Sequence, residues 1–193
     1  MKKVILVRCG EIMLKGLNRP AFENKLVSNI KRAVRECGKS MVFKSQARIY
    51  VEPINDDFDF ELAFKKISKV FGVVSLSPVW KIPSDIESIK ENALIMISNT
   101  INSEDKKTFK VQTRRGDKRF PMDSMELSSE IGAYFLSKFP NLTVDVHNPD
   151  FVFYIEVREF TYMYFEIIPA NGGMPTGTNG KATLLLSGGI DSP

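Results

Sequence analysis

The sequence predicts an α+β protein built from two small units and the start of a third. Over residues 1–82 the apolar positions alternate between a period of two and a period near 3.6 in the order βαββαβ, the order of a ferredoxin-like sandwich. A second series of helix and strand patterns fills 83–168. From 169 the composition turns to Gly and Pro, then to a short apolar run that meets Ser187-Gly188-Gly189.

Residues 2–8 read as a short buried strand. A helix follows at about 19–37, with Phe22, Leu26, Ile30, Ala33, Val34 and Cys37 on one stripe and Gly38 to stop it. Strands at about 41–45 and 47–52 come next. Asp57 or Asp59 then caps a helix that turns Leu62, Phe64 and Ile67 inward, and a strand at about 71–81 closes the unit before Pro83.

Ser84 and Glu87 have the spacing of a capping box, and the helix they introduce runs to about Ile101 with Ile86, Ile89, Ala93, Met96 and Ile97 inward. In a strand at 107–114, Phe109, Val111 and Thr113 share one face and Lys110, Gln112 and Arg114 the other. Asp123 and Glu126 form a second capping box, for a helix that buries Leu127, Ile131, Tyr134 and Phe135 before Pro140. Strands near 151–158 and 161–168, joined by a tight turn, end the unit as a hairpin. Residues 169–180 are a linker in composition, and Leu184–Leu186 begins a further strand.

The chain has 193 residues, 27 Lys+Arg and 23 Asp+Glu, a composition that excludes a disordered or collagen-like protein. No apolar run is of membrane-spanning length, and Val4–Val7 is too short for a secretory signal. Two cysteines, Cys9 and Cys37, build no disulfide framework, which points to a reducing cytosol. One histidine, His147, excludes a paired-histidine metal site, and no metal-binding residues are assigned in this chain. The charge is uneven. Residues 1–53 hold 12 Lys/Arg against 4 Asp/Glu, and the remainder 15 against 19. A polyanionic partner accounts for this, and so does a solubilising surface.

Three stretches carry chemistry. The string Ser187-Gly188-Gly189-Ile190-Asp191-Ser192 follows an apolar strand. Its glycines let backbone N–H groups close around an anion, its hydroxyls add donors, and Asp191 can hold a metal ion or order the loop. It lacks the Gly-Lys-Ser/Thr of a Walker loop. Between the first strand and helix, Lys15 and Arg19 lie where helix amides also favour phosphate, although an ordinary charged loop reads the same way. Residues 106–119 hold seven basic residues against the single acid Asp117. Lys110, Arg114, Arg115, Lys118 and Arg119 suit phosphates, and Phe120 suits stacking on an unpaired base.

Together these stretches resemble the tRNA 4-thiouridine synthetase (tRNA sulfurtransferase) family. The resemblance rests on Gly10-Glu11 through Phe22-Glu23, on Arg114-Arg115-Gly116-Asp117-Lys118-Arg119-Phe120-Pro121, and on Gly172-Gly173-Met174-Pro175 running into Ser187–Pro193. It implies an N-terminal ferredoxin-like domain at 1–82, a THUMP domain at 83–168, and a linker with the first strand and loop of a PP-loop ATP pyrophosphatase domain at 169–193. It also implies that ATP, with Mg2+, adenylates uridine 8 of tRNA and that a persulfide sulfur then gives 4-thiouridine. A cysteine desulfurase supplies the sulfur, in many members through a rhodanese domain, and the family is linked to thiazole formation in thiamine synthesis.

By carry-over, Leu185, Leu186, Ser187, Gly188, Gly189, Asp191 and Ser192 surround ATP, with Asp191 as the loop acid. Lys15, Arg19, Lys110, Arg114, Arg115, Lys118, Arg119 and Phe120 contact the tRNA at its acceptor arm and CCA end. A cytoplasmic homodimer is implied. The chain is expected to be the front part of such an enzyme, one that binds tRNA without catalysing the reaction. An adenylating ligase or amidotransferase of the same loop class, or a free-standing RNA-binding module, are the alternatives.

Overall fold

Val4–Val7 is apolar without alternation because strand β1 (Lys2–Cys9) is covered on both faces. Ile5 and Val7 enter a core beneath helices, while Val4 and Leu6 enter a separate core on the opposite side. The computed structural model describes residues 1–10, 12, 16–101, 106–178, 180 and 183. Lys15 and Leu184–Pro193 lie outside the described residues, and with them the whole Ser187–Ser192 string.

The first unit continues with α1 (Arg19–Ala33), β2 (Ser40–Ser45), β3 (Arg48–Pro53), α2 (Phe60–Ile67) and β4 (Val73–Ile82). The second has α3 (Ile86–Thr100), β5 (Lys107–Arg115), α4 (Ser124–Lys138), β6 (Leu142–Val144), β7 (Phe151–Val157) and β8 (Thr161–Tyr164), followed by a two-residue strand β9 (Ile168–Pro169). The first four strands lie in the order β2-β3-β1-β4, all antiparallel, as the βαββαβ pattern requires. The sheet does not stop there. The far end of β4 pairs with β8 (Trp80 to Met163, Ile82 to Thr161), and the order runs on through β7, β5 and β6. Strand β5 is parallel to both of its neighbours. One sheet therefore serves both units, and β4 is the strand they share.

Helices cover one face. Leu26, Ile30, Ala63 and Ile67 pack on Ile5, Val7, Ile49, Val51 and Leu76 in the first unit. Ile89, Ile97, Leu127, Ile131 and Phe135 pack on Phe109, Phe153, Ile155 and Met163 in the second. The helix-free face holds a third core of Val4, Leu6, Tyr50, Val79, Tyr162 and Tyr164. Tyr50 on β3 stacks on Tyr162 on β8 with ring centroids 4.7 Å apart. Those strands are three spacings apart in the sheet, about 14 Å if it were flat. The sheet curls so that its helix-free face closes on itself.

Several local expectations change. Helix α1 ends at Ala33 rather than 37, and Val34–Cys37 continue as a turn that still buries Val34 and Cys37 before Gly38 at φ 113°. Asp59 is the cap of α2, accepting from the Leu62 amide. Ser84 is not a helix cap. Asp85 accepts from the Ser88 amide instead, while the Ser84 hydroxyl donates to the Arg158 carbonyl and meets the Thr161 hydroxyl, tying α3 to the hairpin. The Asp123–Glu126 capping box forms as the spacing requires. The strand expected over 161–168 stops at Tyr164, and β9 crosses back to pair with the beginning of β4.

Residues 168–176 are consequently a strap on the first unit. The Ala170 and Gly172 amides donate to the carbonyls of Val74 and Val73, the Asn171 amide to that of Ser68, and the Gly72 amide to that of Gly172. Ile168, Ala170 and Met174 pack on the first core, and the buried Asn29 donates to the Thr176 carbonyl.

The β2–β3 turn holds Gln46 at φ 46° and Ala47 at φ 63°, both left-handed, between the paired residues Ser45 and Arg48. Ala47→Gly is expected to stabilise the protein by roughly 0.5–1 kcal/mol, the strain relieved less the extra chain entropy that glycine loses. A urea midpoint that falls would contradict this.

Candidate nucleic-acid interface

The basic residues of 106–119 end up in different situations because β5 alternates between two faces. Thr113 and Arg115 point toward α4, where the Ser128 hydroxyl accepts from the Thr113 amide and the Ser124 hydroxyl from the Arg115 amide. The Arg115 guanidinium donates to the carbonyls of Phe120 and Met122 at 3.3 and 3.2 Å, so it holds the β5–α4 loop in shape. Phe120 is buried in the second core, which removes it as a stacking platform. The sequence showed an aromatic beside basic residues but not that its ring faces inward. Lys110 donates to the Val146 carbonyl. Arg114 and Lys118 are exposed. Arg119 is exposed too, but it forks onto Asp117, whose carboxyl it holds down at about 2. Among the described residues of the segment, Lys106, Arg114 and Lys118 are exposed cations with no carboxylate beside them, and Arg119 is half neutralised.

Arg19 lies in the first unit, at the start of α1, and donates to Glu23 at 2.6 Å. Lys44 on β2 reaches the same carboxylate at 3.1 Å. Burial would raise the Glu23 carboxyl, but hydrogen bonds from Arg19 and Lys44 outweigh it and keep the group below its ordinary range. These side chains, with Cys9, the β2–β3 turn and Arg48, line a cavity of about 360 Å³.

The two basic regions are joined through Arg158, in the β7–β8 turn. Its Nη1 donates to the Gln46 carbonyl at 2.9 Å and to Gln46 Oε1 at 3.2 Å. Gly116 donates to the Val157 carbonyl and lies against the Arg158 side chain, so the β5–α4 loop and the β2–β3 turn rest on the same arginine. Behind them Glu156 is buried among Arg8, Arg48 and Arg158 at 3.5, 3.5 and 3.2 Å and accepts from the Tyr164 hydroxyl at 3.0 Å. Burial alone would raise the Glu156 carboxyl, and the guanidiniums of Arg48, Arg8 and Arg158 reverse this. Three cations share one carboxylate, and the surplus is positive. Arg8, Arg48 and Arg158 escaped the sequence reading because they stand singly in the chain: Arg8 and Arg48 are cross-strand neighbours on β1 and β3, and the curl of the sheet brings them to Glu156 and Arg158.

A second cavity, of about 340 Å³, lies between β5 and α4 in the second unit. Val111, Gly132, Leu136, Val144 and Val146 line it with Lys110 and Ser128. It is apolar with a basic residue in its wall, and β6, which the sequence reading did not anticipate, supplies one side.

A strand-sharing pair of α+β units, with one basic surface across the junction, is the class of protein defined here. The first unit matches the ThiI ferredoxin-like domain over residues 4–77 and the second matches the THUMP domain over 83–166. The chain thus carries a match to each of these two domains in succession, and the curated relatives it resembles are probable tRNA sulfurtransferases. It is 66% identical over all 193 residues to a probable tRNA sulfurtransferase of Acetivibrio thermocellus, of which it spans 49%. A crystal structure of a 4-thiouridine synthetase–RNA complex with bound ATP superposes with a TM-score of 0.78 at 38% identity, covering all of this chain and 48% of that one. PH1313 from Pyrococcus horikoshii gives a TM-score of 0.79 at 34% identity over 91% of this chain and 58% of its own. The chain therefore spans about half the length of the curated relatives it matches.

Proposed function

We propose that this chain is the tRNA-holding part of a tRNA sulfurtransferase. The observation that carries the reading is the basic surface that crosses from Arg19 and Lys44 through Arg158 to Arg114 and Lys118, spanning both units. The relation to a synthetase crystallised with RNA and ATP supports it. An acceptor stem lies on that surface by its phosphates, and the apolar β5–α4 cavity takes an unpaired base of the CCA end, with Lys110 beside it.

In the longer protein, ATP with Mg2+ activates uridine 8 as an adenylate and sulfur from a cysteine desulfurase replaces AMP. Leu185, Leu186, Ser187, Gly188, Gly189, Asp191 and Ser192 would hold the nucleotide, and all lie outside the described residues. The 193-residue chain alone binds tRNA without forming the adenylate. We extend the reading to a cytoplasmic homodimer with a role in thiazole synthesis. Among the described residues no helix is long and apolar enough to cross a membrane.

Binding of a tRNA acceptor minihelix across a salt series tests this. Native binding should weaken steeply as salt rises. Arg114→Ala should lower the slope of log affinity against log salt by about one with the fold intact. Binding that is absent at low salt, or insensitive to salt, would reject the reading.

A further inference from the structure

We propose that the cavity between α1 and the β2–β3 turn is a binding site for a single phosphate group, separate from the β5 segment. Arg19, Lys44 and Arg48 line it, with Glu23 the one carboxylate in its walls among the described residues. Immediately behind Arg48 stand Arg8 and Arg158, with Glu156 as their only carboxylate among the described residues. Three cations thus line the cavity against one carboxylate, and the cluster behind its wall carries a further positive surplus. Such walls concentrate an anion.

The donors have capacity to spare. Glu23 engages Arg19 through Nε and Lys44 through one hydrogen, leaving the terminal Arg19 nitrogens without a protein partner among the described residues. Arg48 gives Nη1 to the Ala47 carbonyl at 3.3 Å and turns its buried Nε toward Glu156 at 3.5 Å, which leaves Nη2 without a protein partner among the described residues. Cys9 adds no competing charge, since burial first and Glu23 second push its thiol up to about 11. The ligand chemistry is therefore a tetrahedral oxyanion that accepts several N–H bonds at once. About 360 Å³ admits a phosphate with the ribose to which it is attached. The left-handed Gln46-Ala47 turn, braced by Arg158 from the second unit, fixes the wall against which it sits.

The proposal deepens the RNA reading where the phosphate is a tRNA phosphodiester, and stands without it where the phosphate is free. Lys44→Gln is the variant of choice because Lys44 is half exposed and outside every core. The native chain, Lys44→Gln and Arg114→Ala are each titrated with inorganic phosphate, followed by the amide and arginine Nε–H resonances of residues 45–48, and with the minihelix across salt. Phosphate should shift the 45–48 resonances in the native chain and in Arg114→Ala, and several-fold less in Lys44→Gln. If the phosphate is that of tRNA, Lys44→Gln also lowers the minihelix salt slope by about one, additively with Arg114→Ala. Phosphate shifts with an unchanged minihelix slope assign the site to a free phosphate compound. A native chain that ignores the minihelix but responds to phosphate defeats the RNA reading and keeps the site. No phosphate shift and no loss of slope in Lys44→Gln, with Arg114→Ala still weakening the minihelix, overturns the site and keeps the RNA reading.

Discussion

Glu156→Gln is expected to destabilise the protein by about 3–5 kcal/mol, a large share of what holds a domain of this size together. The side chain is 2% exposed and is the shared counter-ion of Arg8, Arg48 and Arg158, one from each of three strand ends. A neutral amide leaves three guanidiniums facing one another in a closed, low-dielectric place. It also leaves a single acceptor oxygen, in place of two, to serve both the arginines and the Tyr164 hydroxyl. Urea midpoints at neutral pH measure the loss, and a shift worth under 1 kcal/mol would show that the cluster does not hold the units together.

The same carboxylate sets a pH dependence. Its carboxyl is held below the ordinary 4.5 in the folded protein, so the unfolded chain binds the proton more readily. Its contribution is complete above 4.5 and is lost as the pH falls through the depressed folded value. Native and Glu156→Gln stabilities should therefore converge on acidification. A gap that stays constant down to acid unfolding would contradict the assignment.

Gly72→Ala is the second large effect. Gly72 sits at φ 99°, where a side chain is strained, and an added Cβ would lie 2.9 Å from Pro175 Cγ and 3.2 Å from Leu26 Cδ1. Overpacking costs about 1–3 kcal/mol and the left-handed backbone about 1 more. The loss should appear as a lowered midpoint together with faster proteolysis within 168–176, because the strap must lift from the first core. An unchanged midpoint with unchanged resistance would mean that the strap does not press on Gly72.

Most helices and the longer strands of both units are legible because they are written in periodicity, while the three-residue β6 is too short to carry a period. The stripe Leu26-Ile30-Val34 and the alternation of β5 each depend only on neighbours in sequence. Curl is not local. Nothing near Tyr50 says that Tyr162 will stack on it, and nothing near Arg8 says that Glu156 will be its partner. Residues 169–180 read as a linker because Gly and Pro signal unusual φ angles and tight turns. Gly172 and Gly173 do adopt φ near 70°, but to cross the first unit closely rather than to swing free. Of the candidate RNA contacts, the alternation placed Arg114 correctly on the face away from α4. It could not reveal that Arg115 is spent on two carbonyls or that Phe120 turns inward.

The return of β9 to β4 bears on the order in which the molecule can be made. A ribosome delivers β1 to β4 first, and those strands already have the pairing of a complete sandwich. Yet the seam where Ile168, Ala170 and Met174 lie on the first core stays wet until the whole second unit has emerged. The nascent first unit is therefore an unfinished body with an open flank, and it becomes watertight only when a stretch synthesised about ninety residues later, as the positions of β4 and β9 require, comes back to close it.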